Sequence, residues 1–212
     1  MFSTGWISTI NAQRGWEKMA SMDNKKGRHQ TCVIDSLIYV IGGSDNSWTV
    51  LTSAQTYNTV SNKWYDLSPT PYAVCLSNVE VIDERIYVAG GWHKPGVVWQ
   101  TLSYTVAYNP AEDSWELRAY CPLTTGSNAS CTVSDTLYLL GGLESPGSHD
   151  EKKAIFYVPE TDRWGEIPDM LNDHSGASAH EIDGHIYIVG GLDHTPGLLI
   201  TGKTEMYDPQ TK

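Results

Sequence analysis

The chain has 212 residues, of which 40% are hydrophobic, and its formal net charge is −11. It contains 14 basic and 25 acidic residues, with no basic cluster beyond Lys25-Lys26-Gly27-Arg28, which argues against binding to nucleic acid. No apolar run is long enough to cross a bilayer, and residues 1–9 lack the basic start and apolar core of a signal peptide. We therefore expect a cytoplasmic protein that does not associate with membranes.

The first predicted element is a short strand over residues 14–19 that contains Trp16. Four tryptophans of the chain each precede a pair of adjacent glycines by 26 residues: Trp16, Trp64, Trp115 and Trp164. The glycine pairs are Gly42-Gly43, Gly90-Gly91, Gly141-Gly142 and Gly190-Gly191, and their first members lie 48, 51 and 49 residues apart. Two landmarks in constant register indicate four repeats of one structural unit.

Each glycine pair closes an apolar phrase, first "LIYVIGG" and then "RIYVAGG", "TLYLLGG" and "HIYIVGG". Because consecutive side chains of these phrases are apolar, each predicts a strand that is buried on both faces. The glycines end the strand and let another backbone approach where a Cβ would collide. Turn residues precede three of the phrases, as in Asp35-Ser36, Asp83-Glu84 and Asp183-Gly184, and indicate tight hairpins.

Counting in chain order predicts four strands per repeat: an inner strand, the strand of the glycine pair, a strand that ends at a tyrosine, and an outer strand that holds the tryptophan. The tyrosine stands seven residues before the tryptophan in three repeats, at Tyr57, Tyr108 and Tyr157, and Tyr207 takes its place in the fourth. The repeats cover residues 20–67, 68–118, 119–167 and 168–212 of one domain, 1–212. Four-stranded antiparallel units of this length predict an all-β fold, a β-propeller of four blades.

The chain resembles the kelch-repeat family, on the glycine-pair phrases, the Tyr-x6-Trp pairs, and the stretches "YNPAEDSW" and "YDPQTK". The resemblance extends over nearly the whole chain from Trp16 onward. The third repeat departs from it, because Val158-Pro159 replaces the usual Asp-Pro and Ser134 replaces the turn aspartate. The resemblance implies a propeller, but kelch propellers include both binding modules and enzymes.

The two ends of the chain are complementary. The sequence stops at Lys212, two residues before the fourth repeat would reach its tryptophan, while the strand over residues 14–19 has no blade of its own. Two interpretations follow. Either this N-terminal strand completes the last blade and closes the ring, or the chain is a fragment of a larger propeller. An open blade edge would also favour self-association.

Ten residues before the first glycine, the four repeats carry possible metal ligands: Cys32, Glu80, Cys131 and His180. Zinc accepts such ligands, but inner-strand side chains mostly face the neighbouring blade. We therefore favour ordinary packing, with no metal and no cofactor. The cysteines are expected to be free thiols, as is usual without export. His174 is expected to be a solvated loop residue.

The loops between the second and third strands vary most, with 14, 17, 15 and 16 residues from second glycine to tyrosine. In a meander they share one face with the links between blades, so this face is predicted to bind a partner. The candidate binding residues on these loops are Trp48, Trp92, His93, Lys94, Trp99, His149 and His194. The alternative for the tryptophans is that one or two of them fold back to cover a blade. Arg28 begins the first inner strand, and in adaptor-type kelch propellers an arginine at this place commonly faces the ligand, which implies an acidic peptide.

The resemblance is strongest to BTB-kelch adaptors of cullin-RING ubiquitin ligases. The stretch "RHQTCVIDSLIYVIGG" of this chain is similar to the blade pattern of that subgroup. It implies a non-enzymatic, substrate-recognition propeller whose partner is a protein or peptide. Two alternatives stay open: a kelch-fold enzyme such as a sugar isomerase or copper oxidase, and a scaffold that binds actin. Convergent titrating groups on the propeller axis would favour the enzyme.

Overall fold

The computed structural model describes residues 15–143, 152–193 and 199–211. Within these ranges every regular element is a strand, and no helix could span a membrane. Four antiparallel sheets follow one another along the chain as the blades of a propeller. The all-β propeller of four blades predicted from the repeats is confirmed.

The first three blades have four strands each, paired in a meander. Blade 1 consists of β1 (Gln30–Ile34), β2 (Leu37–Ile41), β3 (Ala54–Asn58) and β4 (Lys63–Leu67). Blade 2 consists of β5 (Asn78–Ile82), β6 (Arg85–Ala89), β9 (Thr105–Asn109) and β10 (Ser114–Leu117), and its loop holds the short pair β7 (Trp92–His93) and β8 (Gln100–Thr101). Blade 3 consists of β11 (Ala129–Val133), β12 (Thr136–Leu140), β13 (Ala154–Val158) and β14 (Arg163–Glu166).

Blade 4 has three strands in the described part of the chain: β15 (Ser178–Ile182), β16 (His185–Val189) and β19 (Thr204–Tyr207). Its loop contains the pair β17 (Leu192–Asp193) and β18 (Leu199–Ile200). In the described residues the four blades thus hold fifteen strands, against the sixteen expected from four strands per repeat.

The N-terminal segment does not complete blade 4. Residues 15–19, the described part of the predicted strand, form no strand, and Trp16 is 92% exposed. The link that follows it is held at blade 1, where Ala20 N–H donates to Asn62 Oδ1 and Trp64 Nε1 donates to the Ala20 carbonyl. Of the two interpretations, closure of blade 4 by residues 14–19 is not seen in the described residues 15–19.

Three apolar clusters join consecutive blades. The cluster between blades 1 and 2 includes Tyr39 and Ile41 on one side and Ile86 and Val88 on the other. The clusters between blades 2 and 3 and between blades 3 and 4 are built in the same way. No such cluster joins blade 4 to blade 1 among the described residues.

The glycine pairs serve close approach between blades. Gly42 and Gly90 have φ of 62°, and a Cβ on Gly90 would lie 2.5 Å from the carbonyl oxygen of Thr125 in the link to blade 3. A Cβ on Gly42 would collide with the carbonyl oxygen of Val74. The second glycine then donates its N–H to that carbonyl, as Gly91 does to Thr125 at 2.7 Å. Only glycine adopts this positive φ readily and also lacks the Cβ that would collide with the carbonyl oxygen.

The constant spacing of tyrosine and tryptophan is explained by a link clasp, formed in blade 2 by Tyr108, Asp113 and Trp115 around Ser68. Tyr108 Oη donates to Asp113 Oδ1 at 2.6 Å, and the same carboxylate oxygen accepts Ser68 N–H at 2.8 Å. The Trp115 ring packs against that of Tyr108 at an interplanar angle of 43°, with centroids 4.9 Å apart, and its Nε1 donates to the Ser68 carbonyl at 2.8 Å. Blades 1 and 3 repeat the link clasp with Tyr57, Asn62, Trp64 and Ala20, and with Tyr157, Asp162, Trp164 and Ala119.

Candidate functional site

The variable loops and the links between blades are tied together at one end of the propeller. Isolated β-bridges join each link to the start of the loop beside it, at Gly27 and Ser44, Cys75 and Trp92, Gly126 and Leu143, and Ser175 and Leu192. The meander therefore puts these segments on one surface, which we call the loop face.

Four candidate residues on the loop face meet in one patch. The Arg28 guanidinium carbon lies 3.7 Å from the ring centroid of Trp48, and Trp48 meets Trp99 edge to face with centroids 6.3 Å apart. Lys94 Nζ lies 5.3 Å from the ring centroid of Trp99. We call Arg28, Trp48, Lys94 and Trp99 the tryptophan patch. It combines residues of two adjacent blades that stand up to 71 positions apart in the sequence.

Trp48 is presented by a turn with an unusual backbone. Its φ is 63°, a left-handed conformation that costs a residue with a Cβ about 1 kcal/mol or more. Asp45 offsets this cost, because its Oδ1 accepts the N–H groups of Ser47 and Thr49, both at 2.8 Å. The side chain of Trp48 remains 48% exposed. A strained turn that holds an indole in solvent is suited to contact with another molecule.

Arg28 occupies a place where all four blades share one backbone conformation. Arg28, Leu76, Ser127 and Gly176 have φ between 49° and 63°, and backbone hydrogen bonds run from Leu76 N to Arg28 O, from Ser127 N to Leu76 O and from Gly176 N to Ser127 O. This axial series fixes the link at the centre of the loop face. The Arg28 Nη1 also donates to Ser44 Oγ at 3.1 Å, which holds the guanidinium over Trp48.

Trp92 does not belong to the exposed surface. It is only 7% exposed, packs with Val50 and Cys75, and donates Nε1 to Ser127 Oγ at 3.2 Å. A Cβ on Gly126 would lie 2.5 Å from the indole ring, so the ring lies directly over that glycine. The prediction that Trp92 is an exposed anchor is wrong, because the indole fills the space that Gly126 leaves open in the next link.

The remaining candidates differ in their surroundings. His93 is half-buried, with Nδ1 3.2 Å from the Ala73 carbonyl oxygen. His149 and His194 lie outside the described residues. The sequence interpretation missed Val97 and Val98, which are 88% and 58% exposed at the tip of the blade 2 loop. Their signal was the run "PGVVW", in which a turn is followed by two adjacent aliphatic residues that a two-stranded ribbon cannot bury together.

Another basic group lies in the link just before Arg28. Lys26 Nζ donates to Ser53 Oγ at 2.8 Å, and burial lowers the pKa of this lysine to about 8, although the carboxylate of Asp66 opposes the shift. Lys26, Arg28 and Lys94 thus bring three basic side chains to the loop face of blades 1 and 2, next to the carboxylate of Asp45 in the Trp48 turn.

The four proposed metal ligands line a common channel of about 480 Å³ on the propeller axis: Cys32, Glu80, Cys131 and His180. The Glu80 carboxylate accepts hydrogen bonds from Ser130 Oγ at 2.7 Å and from Thr132 Oγ1 at 3.4 Å, both in the next blade. Burial raises the pKa of Glu80, and these hydrogen bonds oppose the shift. Within the described ranges, no three acidic, histidine or cysteine side chains are grouped to hold a metal ion.

The cysteines are all free thiols, and burial raises the pKa of each. His174, which the sequence placed in solvent, is instead fully buried. Its Nδ1 lies 2.7 Å from the Gly190 carbonyl oxygen and its Nε2 lies 3.1 Å from Glu205 Oε1. His174 therefore fastens the link of blade 4 to β16 and β19 and is unavailable as a surface ligand.

Comparisons with known proteins agree with this architecture. The Kelch motif model matches residues 26–71, 73–122 and 174–212, more than half of the chain. Residues 123–172, outside the matched ranges, contain the departures at Ser134 and Val158, yet they contribute all four strands of blade 3.

Among curated relatives, Kelch-like protein 35 of Mus musculus is 30% identical over 178 residues, covering 84% of this chain and 29% of that protein. Kelch-like protein terF of Aspergillus terreus is 29% identical over 179 residues, covering 78% and 39%. Kelch repeat and BTB domain-containing protein 12 of Homo sapiens is 26% identical over 196 residues, covering 84% and 31%. The chain thus spans about three to four tenths of the length of these relatives.

The structure of YjhT superimposes with a TM-score of 0.70 at 16% identity, covering 87% of this chain and 67% of that chain, a likeness of fold. Together with the Kelch-like relatives, the repeats support a protein-interaction module. The motif matches, the four blades and the repeated link clasps show that this chain belongs to the kelch-repeat family.

Proposed function

We propose that the loop face binds a protein partner through the tryptophan patch, and that the ligand is an acidic peptide segment. The observation that carries the proposal is the Arg28 guanidinium held 3.7 Å above the half-exposed ring of Trp48. Aromatic and arginine side chains together are the usual composition of binding hot spots.

The patch offers two kinds of contact to such a ligand. A guanidinium has five N–H donors, and one bond to Ser44 leaves further donors for a carboxylate. Lys94 adds a second positive charge on the other side of the aromatic pair. Trp48, Val97 and Val98 supply exposed apolar surface next to these cations. An acidic residue followed by an apolar residue would therefore satisfy both parts of the patch.

We further propose that this recognition selects substrates for ubiquitination, as the resemblance to BTB-kelch adaptors implies. The support is the similarity to relatives whose names include Kelch-like and BTB domain-containing proteins. In this role the propeller performs no chemistry and supplies only the substrate-binding surface. A cytoplasmic location accords with the proposal, since the four cysteines are free thiols.

The residues that line the axial channel do not favour an enzymatic function over protein binding. Its most buried acid, Glu80, is engaged by hydroxyl groups of the neighbouring blade, so it joins two blades through hydrogen bonds. An enzyme of this fold would need a carboxylate whose oxygens face the substrate. We therefore assign Glu80 a structural role and place binding on the loop face.

The experiment is selection of random peptides displayed on phage against the full chain. We expect enrichment of sequences rich in Asp and Glu, and then weaker binding of the selected peptide by Arg28→Glu and by Trp99→Ala, each by about tenfold or more. Arg85→Glu is the matched charge control, because Arg85 lies at the hairpin turn on the opposite face and its side chain is 45% exposed.

Melting temperatures of the same variants separate binding from folding. Arg28→Glu should melt within a few degrees of the parent chain. Trp99 also packs against Trp92, so Trp99→Ala should melt earlier, and its peptide affinity is measured well below its own melting temperature. Selection of basic or purely apolar peptides, or equal binding by Arg28→Glu and the parent chain, would show that the ligand is not recognised in this way.

A further inference from the structure

The link before blade 1 carries a lysine, Lys26, at the place where the link before blade 4 carries His174. Both residues stand two positions before a member of the axial series, Arg28 in blade 1 and Gly176 in blade 4. In blade 4 the basic residue has a carboxylate partner, since His174 Nε2 lies 3.1 Å from Glu205 Oε1. A basic side chain at this place is thus matched by an acid of its own blade.

Blade 1 has no carboxylate at the position that corresponds to Glu205. That position lies two residues before the repeat tyrosine, and in blade 1 it is occupied by Gln55. Lys26 Nζ donates instead to the Ser53 hydroxyl at 2.8 Å, and within the described part of the chain this lysine forms no ion pair. The difference between the two blades therefore comes from one residue, glutamate in blade 4 and glutamine in blade 1.

The carboxylate of Asp66, on β4, acts on Lys26 but is held by another side chain. Its Oδ1 accepts a hydrogen bond from Gln55 Nε2 at 2.8 Å. Lys26 is half-buried, and burial lowers the pKa of its amine to about 8, with Asp66 opposing the shift. At pH 7 roughly one tenth of such an amine is unprotonated, against less than about 0.1% of an ordinary lysine.

A second basic group near Lys26 is kept neutral in the same way. Burial lowers the pKa of His29, and the positive charge of Lys26 lowers it further, while a hydrogen bond with the Lys26 backbone opposes the shift. His29 Nδ1 is buried and has no hydrogen-bond partner among the described residues. The link therefore holds a partly neutral amine near an unprotonated imidazole, which is the state in which an amine is nucleophilic.

We propose that Lys26 is a site of N-acylation by an acyl phosphate. The Nζ lone pair attacks the carbonyl carbon of the donor and forms the new N–C bond. The C–O bond to the phosphate breaks, the phosphate leaves with that electron pair, and the nitrogen releases one proton to solvent. Lys25 and Arg28 stand in the same link and favour the approach of this anionic donor over a neutral one.

Acylation changes the charge of the loop face and leaves the local hydrogen bond possible. The amide N–H of an acylated Lys26 can still donate to Ser53, but the positive charge is lost. One consequence rests on the proposed function: an acidic peptide at the tryptophan patch then meets two basic side chains, Arg28 and Lys94, instead of three. The acylation site itself needs no loop-face ligand.

The first test is acetylation of the full chain by acetyl phosphate at pH 7, with the rate at each lysine followed by mass spectrometry of its peptides. Lys153 and Lys203 are the matched controls, because their ammonium groups lie 3.2 Å from Asp169 and 2.9 Å from Asp193, and their side chains are 36% and 46% exposed. We expect Lys26 to react at least about fivefold faster than either, although it is half-buried. Equal or slower reaction at Lys26 would overturn the proposal.

The dependence of these rates on pH supplies a second reading from the parent chain. The rate at Lys26 should level off above about pH 8, where its amine is already unprotonated, while the rates at Lys153 and Lys203 continue to rise. A rate at Lys26 that rises in parallel with those of the controls would show that its amine is an ordinary one.

Two variants test the cause. Gln55→Glu gives blade 1 the glutamate of blade 4, so Lys26 gains a carboxylate partner and its acetylation should slow at least about fivefold. Ser53→Ala removes the neighbouring hydroxyl, and the label should remain on Lys26. Melting temperatures show that both variants are folded. An unchanged rate in folded Gln55→Glu, or a label carried by Ser53 as an ester, would contradict the proposal. These measurements use no peptide ligand, so their failure leaves the proposed function to its own experiment.

Discussion

Replacing Trp115 by alanine should destabilise the fold far more than the same change at Trp64. Trp115 donates one hydrogen bond to the Ser68 carbonyl, makes a tilted ring contact with Tyr108, and packs against the cluster between blades 1 and 2. Loss of the hydrogen bond and of the ring contact each costs about 1 kcal/mol. With the cavity left between the blades, the total loss should be about 3 to 5 kcal/mol.

Trp64 keeps the first two contacts but lacks the third. Its ring contacts that of Tyr57 at a tilt of 38° with centroids 5.0 Å apart, and it donates to the Ala20 carbonyl, but it packs against none of the clusters that join blades in the described chain. Trp64→Ala should therefore cost about 2 kcal/mol. The repeat pattern alone does not distinguish Trp64 from Trp115, because both stand at the same position of their repeats.

Urea unfolding followed by far-ultraviolet circular dichroism gives both free energies from the midpoint and the slope. Trp164→Ala is the matching replicate, because Trp164 packs between blades 2 and 3 as Trp115 does between blades 1 and 2. If Trp64→Ala is as damaging as Trp115→Ala, the blade interface does not supply the difference, and the assignment of the energy to inter-blade packing is refuted.

Two further changes test the backbone and the acids of the blades. Gly90→Ala should lower the free energy of unfolding by more than about 2 kcal/mol, because its Cβ would meet the Thr125 carbonyl. Gly96→Ala is the control, since Gly96 has a similar positive φ but open space around it, and it should cost about 1 kcal/mol. Equal losses in urea unfolding would contradict this reason. The hydrogen bond from Tyr108 lowers the pKa of Asp113; the pKa of Asp162 is also lowered, because bonds from Ala119 N–H and Tyr157 outweigh burial. Both carboxylates therefore contribute stability that is present above their unfolded pKa and lost as pH falls through the lower folded pKa. Asp113→Asn together with Asp162→Asn should reduce the fall in melting temperature on acidification, because asparagine does not titrate and blade 1 already has an asparagine at this place, Asn62. An unchanged dependence of melting temperature on pH would assign the acid sensitivity to other groups.

The glycine pairs and the register of tryptophan and tyrosine predicted the blades because each landmark satisfies a local or repeated geometric need. Gly42 must avoid the neighbouring carbonyl, and Trp115 must reach a link residue at a fixed distance. Because every blade has the same geometric requirements, the glycine pairs and tryptophans recur at regular intervals in the sequence.

The patch itself was only partly predictable. Arg28, Trp48, Lys94 and Trp99 were each identified by residue type and loop position, but their meeting depends on how two blades are placed side by side. The burial of Trp92 depends on Gly126, 34 residues later, and the burial of His174 depends on Glu205. A local sequence pattern does not indicate contacts with partners so far away in the chain.

The link clasp determines which stretch of sequence behaves as a transferable module. In blade 2 the clasped link residue, Ser68, and the groups that hold it, Asp113 and Trp115, all lie within one repeat. A duplication or loss of residues 68–118 would carry the whole clasp with it and would leave no clasp carbonyl or N–H without its partner in the neighbouring blades. Gene rearrangements with these boundaries would be tolerated more readily than rearrangements that begin inside a sheet, which offers a physical route by which propellers of this kind change their number of blades.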